Sequence, residues 1–208
     1  MIPGIDVSKW QADIDWLKVK HTGVCFAFIK ASQGISHLDP FFSINWQAAR
    51  AAGFIRGAYH YFHSRLDAEV QAESFYRLLS VDAGELPPVV DLEAPETSGS
   101  ALMLALSRFL QKFEKLSGLC PMIYTSPGFW NSYVTPYPPE WPNNYPLWIA
   151  HYGVGRPSIP YPWLNFNFWQ FSEKGEVAGI TRFPGRRPKV DLNWFNGSQA
   201  ELAGMRIA

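Results

Sequence analysis

The pattern of apolar and polar positions divides the chain, through residue 125, into short strands that alternate with amphipathic helices. An apolar run near Ile2 to Val7 predicts a strand, followed by a short helix from about Trp16 with Asp15 as its N-cap and Gly23 as its stop. Val24 to Lys30 predicts a second strand, and the helix after it has Asp39 as N-cap, Pro40 in its first turn and Gly53 beyond its end. Phe54 to Tyr61 reads as a third strand, and Asp67 starts a helix whose Ala68, Ala72, Phe75 and Leu79 lie on one face. Pro87 to Glu93 is a fourth strand. The longest helix then carries Leu102, Leu106, Phe109, Phe113 and Leu116 at helical spacing before Gly118, and Met122 to Thr125 is a fifth strand.

Strands separated by helices favour parallel pairing with right-handed crossovers, in an open sheet or a closed barrel. Beyond Ser126 the rhythm changes, because Pro127, Pro136, Pro138, Pro139, Pro142 and Pro146 exclude one long helix and predict a structured loop. Leu147 to His151, Phe166 to Phe171 and Val190 to Trp194 read as later strands without full helices between them. The most economical fold is α/β: a single-domain, modified TIM-like β/α barrel over residues 1–208, with regular βα units in the first five strands and abbreviated later ones.

Such a barrel holds its chemistry at the carboxyl ends of its strands. Residues two apart on a strand share a face, so Asp91 and Glu93 project together, away from Val90 and Leu92. An exposed edge with two solvated acids is the competing explanation, and the flanking prolines and apolar residues disfavour it. Asp6 ends the first strand at the same end of the barrel, and closure would bring Asp191 of the last strand beside it. Four acids therefore converge, although buried like charges are costly.

Composition narrows the function classes. Lys and Arg number 18, as do Asp and Glu, so the net charge is zero and the bulk electrostatic case for nucleic-acid binding is absent. Aromatic residues make up 16% of the chain and charged residues only 17%. No apolar run approaches the roughly 20 residues that cross a bilayer. Cys25, placed in a buried strand, and Cys120 are expected as reduced thiols.

Eight stretches, in order over nearly the whole chain, resemble glycoside hydrolase family 25, the Chalaropsis-type muramidases. They are GIDVSKWQ at 4–11, IKASQG at 29–34, GAYHYF at 57–62, VVDLEAP at 89–95, IYTS at 123–126, LWIAHY at 147–152, WQFS at 169–172 and VDLNWF at 190–195. Gln33 departs from the family pattern, which often has Glu there. The resemblance implies a modified β/α barrel that cleaves the β-1,4 bond between N-acetylmuramic acid and N-acetylglucosamine in peptidoglycan. By position it makes Glu93 the general acid, with Asp91, Asp6 and Asp191 around it.

To donate a proton near neutral pH, Glu93 needs its pKa raised about two units above roughly 4.3, and a charged Asp91 nearby acts in that direction. Acids two apart on a strand have Cα atoms about 6.6 Å apart, which leaves the stereochemistry open. Retention through the substrate's 2-acetamido group, stabilised by Asp91, is the favoured route, and direct attack by Asp91 or Asp6 stays open. Tyr59, Tyr61, Tyr124 and Trp148 are candidate sugar contacts, with Gln170 as a polar rim residue.

His60 faces away from Tyr59 and Tyr61, and His21, His37, His63 and His151 lack paired metal-ligand spacing, so neither a metal nor a cofactor is expected. Arg182, Arg186, Arg187 and Lys189 form a basic patch, read as a solvated loop or as a guide for an anionic wall polymer. Two other functions compete with the muramidase: a metal-dependent phosphodiesterase using the same acids, and a non-catalytic wall-binding barrel. The expected partner is the glycan strand of bacterial peptidoglycan, bound by a monomer without membrane insertion. MIPGIDVSKW lacks the pattern of an export signal. A lytic domain of that kind fits a phage or prophage endolysin, acting from the host cytoplasm on the wall, or secretion by another route.

Overall fold

Alternation along each strand sorts side chains onto two surfaces of different character. The computed structural model describes residues 1–134, 139–180 and 189–207. In chain order the elements are β1 (Ile2–Val7), α1 (Trp16–His21), β2 (Phe26–Gln33), β3 (His37–Leu38), α2 (Phe42–Ala51), β4 (Ile55–Tyr61), α3 (Ala68–Leu79) and β5 (Val89–Asp91). They continue with α4 (Gly99–Ser117), β6 (Met122–Thr125), α5 (Pro127–Tyr133), β7 (Leu147–Ala150), β8 (Phe168–Gly175), β9 (Val190–Phe195) and α6 (Gln199–Gly204).

The strands form the order β1-β9-β8-β7-β6-β5-β4-β2-β3, and β1 also pairs β2, so eight strands close into a barrel and β3 remains a flap on β2. Pairing is parallel from β1 through β2, β4, β5, β6 and β7 to β8. Among the eight described barrel strands β9 alone runs the other way, antiparallel to both β8 and β1, and the flap β3 is antiparallel to β2. No helix lies between β8 and β9 among the described residues, and a return without a crossover pairs strands antiparallel.

Inward positions fill the barrel with aromatics: Phe26 and Phe28 of β2 meet Phe168, and Phe28 stacks on Trp148 with ring centroids 4.4 Å apart. Glycines on adjacent strands make that filling possible. A Cβ on Gly4 would sit 2.2 Å from the Phe26 ring, and one on Gly57 would sit 2.4 Å from the Phe28 ring. Leu86, Leu202 and Met205 join the same cluster, with the last two from α6 and the residue that ends it. Outward positions such as Ile5, Ala27, Ile29, Val90 and Ile123 pack with Trp46, Phe75, Phe109 and Phe113 of the helices.

Caps explain several helix starts. Asp15 accepts from the N–H of Lys18, Asp67 from those of Glu69 and Val70, and Ser198 forms a capping box with Glu201. Gly118 ends α4 at φ 71°, a left-handed conformation that suits glycine.

The structure corrects four expectations. The helix expected from Asp39 starts at Phe42 with Phe41 as its uncapped N-cap residue, because the Asp39 carboxylate instead accepts from the N–H groups of Lys9 at 2.9 Å and Phe41 at 3.0 Å. The loop expected after Ser126 begins with α5, where Ser126 caps and Pro127 occupies the first turn, a position that proline tolerates. Cys25 is half-buried and precedes β2, while Cys120 is exposed; both are free thiols. The strand expected through Glu93 ends at Asp91. The basic cluster Arg182, Arg186 and Arg187 and the prolines 136 and 138 lie outside the described residues. No described helix is long and apolar enough to cross a membrane.

Candidate active site

The carboxyl ends of the parallel strands open into a pocket of about 200 Å³. Asp6, Asp91, Glu93 and Asp191 all line it, together with Tyr59, Tyr124, Trp148 and Gln170. Tyr152 and Glu173 complete the lining. The backbone accounts for this convergence. Asp6 stands directly opposite Asp191 in the β1–β9 ladder, and Asp91 lies between Tyr61 of β4 and Tyr124 of β6. Asp91 is the last inward rung of β5 and is only 5% exposed. Glu93 sits on the turn above it, accessible to solvent but crowded by protein. The two acids thus share the pocket without being two rungs of one strand.

Asp6 is held by a buried polar framework. Its Oδ2 accepts from Gln170 Nε2 at 2.8 Å and from Asn193 Nδ2 at 2.7 Å. The hydroxyls of Tyr124 and Tyr152 donate to Gln170 Oε1 at 2.8 and 2.5 Å, and Trp148 Nε1 donates to Asn193 Oδ1 at 2.8 Å. Every one of these contacts orients the amides so that their N–H groups face Asp6. Gln170, 3% exposed, therefore lies inside the cluster, and Trp148, 2% exposed, forms its floor.

Burial sets the protonation of the acids, with neighbouring charge second. Burial pushes Asp6 up to about 6, although hydrogen bonds from Gln170, Asn193 and Asp191 work against the rise. Burial, the Asp6 charge and the hydrogen bond to Asp6 push Asp191 up to about 8. Asp191 accordingly keeps a proton and donates it to Asp6. Burial and the negative charge of Glu93 raise Asp91 well above the carboxylate range, while Lys30 opposes. Glu93 is raised too, by burial first and by Asp191, again against Lys30. The expected direction for Glu93 holds, but the larger perturbation falls on Asp91, the deeper of the two. Asp91 Oδ1 is buried and has no hydrogen-bond partner among the described residues.

Tyr61 is not among the pocket-lining residues; its ring lies under Lys30 Nζ at 4.7 Å. His60 points into the helix layer as its strand parity predicts, bonded to Ser32 Oγ at 2.8 Å and stacked on Phe109. Burial lowers it to about 3, so it is a neutral core residue. Lys189 pairs with Glu176. Among the described residues no group of three or more His, Cys, Asp or Glu side chains is arranged to hold a metal ion.

Sequence reasoning missed Lys30, Asn193, Tyr152 and Glu173. Lys30 and Asn193 carried a signal, since each is in phase with inward phenylalanines, Phe26 and Phe28 on β2 and Phe195 on β9. Tyr152 lies past the end of β7, and Glu173 follows a register shift between Gln170 and Ser172, where alternation no longer assigns a face.

Residues 5–180 match the family described as Glycosyl hydrolases family 25. The chain is 40% identical over 209 residues to the protein YegX of Escherichia coli O6:H1, covering 98% of this chain and 72% of that one. It is 32% identical over 215 residues to Lysozyme M1 of Streptomyces globisporus, covering 98% of this chain and 71% of that one. The crystal structure of the bacterial lysozyme from Streptomyces coelicolor superposes with a TM-score of 0.83 at 32% identity, covering 98% of this chain and 96% of that one. With the match running from the first acid-bearing strand through most of the barrel, this chain belongs to glycosyl hydrolase family 25 and is a glycoside hydrolase of the lysozyme type.

Proposed function

We propose that this enzyme, acting as one domain and as a monomer, hydrolyses the β-1,4 bond between N-acetylmuramic acid and N-acetylglucosamine in peptidoglycan, with Glu93 as general acid and then general base. The observation that carries the reading is the state of Asp91. It lines the pocket, is buried, and has one carboxyl oxygen without a partner among the described residues. A buried polar atom left unsatisfied costs about 1–3 kcal/mol, and in a pocket such an atom is open to a donor from water or from substrate. The N–H of a substrate 2-acetamido group is a donor of the required kind.

In this scheme the acetamido carbonyl oxygen bonds to the anomeric carbon as the glycosidic C–O bond breaks, and Glu93 gives its proton to the departing oxygen. Asp91 is raised by burial and in part by the Glu93 charge, so a proton on Glu93, the Lys30 charge and a bond from the acetamido N–H all favour its ionised form, which stabilises the positive charge of the cyclic intermediate. Water then attacks the anomeric carbon, the bond from that carbon to the acetamido oxygen breaks and restores the acetamide, and Glu93 takes a proton from the attacking water. Attack by Asp6 is disfavoured, because its Oδ2 already accepts two hydrogen bonds and its carboxylate also takes one from Asp191. Tyr59 and Tyr152, which are less buried than Trp148, are the aromatic surfaces that a sugar ring can reach from the groove.

The test follows the turbidity of purified peptidoglycan with the parent enzyme and with Glu93→Gln, in EDTA. Clearing by the parent and none by the variant is expected. Equal clearing by both removes Glu93 from the acid role, and loss of the parent's activity in EDTA favours a metal-dependent reaction.

A further inference from the structure

Beside the pocket, four side chains from β2, the loop just after β4 and the turn after β5 form a line of which the catalytic steps above use only the Lys30 charge. Lys30 Nζ donates to Gln33 Oε1 at 3.0 Å, Gln33 Nε2 lies 2.9 Å from His63 Nε2, and His63 Nδ1 lies 2.5 Å from Glu96 Oε1. The direction of every bond is forced from both ends. An ammonium only donates, so Gln33 must turn its oxygen to Lys30 and its NH₂ to His63. An NH₂ only donates, so His63 Nε2 accepts, and the remaining ring proton on Nδ1 goes to Glu96, whose carboxylate only accepts.

Glu96 is a fixed anchor. Its carboxylate also takes the N–H of Arg65 at 3.3 Å, and Arg65 Nε donates to its carbonyl at 3.0 Å. Burial opposes its charge, but the bonds from His63 and Arg65 hold it below the usual carboxylate range. Around His63 the neighbouring groups are Gln33, Glu96 and the Tyr61 ring, whose centroid is 5.3 Å away. Around Lys30 they are Asp91, Asp39 and Glu93, with Lys9 repelling and the Tyr61 ring beneath. Lys30 therefore has more than one anion to turn toward. A flexible four-carbon stem does not choose between them unaided.

We infer that Gln33 is a positioning residue for the reaction: locked by His63 and Glu96, it holds the Lys30 ammonium in one place relative to Asp91 and Glu93. The inference rests on the roles proposed above for those two acids. The Lys30 charge favours the ionised form of both. Letting it wander removes that influence, so both acids release their protons at higher pH, and both limbs of a bell-shaped rate profile move up together.

The experiment compares pH–rate profiles on peptidoglycan for the parent, Gln33→Met, Lys30→Met and the double variant, with thermal melts to show that each is folded. Gln33→Met is expected to move both limbs upward by about 0.5 pH unit and to lower kcat several-fold with little change in KM. In the Lys30→Met background the same substitution is expected to move nothing further, since the pair acts as a unit. Unmoved limbs in folded Gln33→Met, or an equal shift in the Lys30→Met background, overturn the inference. If Gln33→Met does not fold, His63→Leu removes the lock and leaves Gln33 in place; a smaller upward shift is expected, and none overturns the inference. Carbon-detected NMR titration of the Asp91 and Glu93 carboxyls in the same proteins reads the shift without turnover. A failed muramidase assignment, in which Glu93→Gln stays active, is thereby distinguished from a failed role for Gln33.

Discussion

Two buried clusters of charge lie at opposite ends of β4, and they resolve the same physical problem differently. Near its start, Arg56 is fully buried, yet every guanidinium N–H has an acceptor. Nη2 reaches Asp82 at 3.0 Å and Glu85 at 2.8 Å, Nε reaches Glu85 at 3.0 Å, and Nη1 reaches Asp82 at 3.0 Å and the Trp46 carbonyl at 3.1 Å. Burial opposes the charges of Asp82 and Glu85, but the Arg56 hydrogen bonds hold both below their ordinary values. At the other end, Asp6, Asp91, Glu93 and Asp191 share a pocket, the nearby Lys30 is bonded to a neutral amide, and these four carboxyls are all raised. A matched countercharge makes a structural anchor. Its absence makes a set of carboxyls that hold their protons above the ordinary carboxylate range, which is the direction a glycosidase's general acid needs.

Substitutions at the two ends should behave in opposite ways. Asp91→Asn is expected to lower kcat by about 10²–10³ while raising the melting temperature, because it removes both the charge that stabilises the intermediate and a costly buried acid. Steady-state kinetics and calorimetry on one preparation check both halves. Arg56→Met is expected to destabilise by about 3–5 kcal/mol in urea unfolding, since Asp82 and Glu85 lose their partner, and to leave kcat of the folded enzyme unchanged.

The pH dependence separates the clusters further. Burial and the Asp6 charge push Asp191 up to about 8 in the folded chain from an ordinary value of 3.8, so its stabilisation is complete below the lower value and lost as pH rises through the higher one. Asp6 adds a similar loss as pH rises toward about 6. Melting temperature should therefore fall from weakly acidic to weakly alkaline pH, and Asp191→Asn should flatten the upper part of that fall by roughly 1–2 kcal/mol. The lowered pair, Asp82 and Glu85, has the opposite sign and loses its contribution only in acid. Asp82→Asn leaves Arg56 paired with Glu85 and should cost only about 1 kcal/mol.

The contrast also marks what could be read from residue order. The phase of inward positions was legible wherever a strand was regular, which is why Asp6, Asp91, Tyr59, Tyr124 and Trp148 meet in one pocket as expected. Reading failed where the chain leaves the ladder. Glu173 follows a register shift, Tyr152 follows a strand end, and Asp39 spends its carboxylate on a neighbouring loop instead of a helix. The reversal of β9 was invisible in its composition, because an antiparallel strand has the same alternation as a parallel one. Asp191 still arrives beside Asp6, since the first residues of a reversed strand lie at the carboxyl end of its neighbours. Gln170 was legible as a polar inward residue, but its partners Asp6, Tyr124 and Tyr152 depend on closure of the barrel.

Mass analysis of the fragments released from purified peptidoglycan tests the central assignment most directly, because it reads which bond was cut and what replaced it. Fragments ending in reducing N-acetylmuramic acid, produced by the parent and absent with Glu93→Gln, are the expected result. Fragments ending in reducing N-acetylglucosamine, or in an anhydro form of muramic acid that has taken up no water, contradict it.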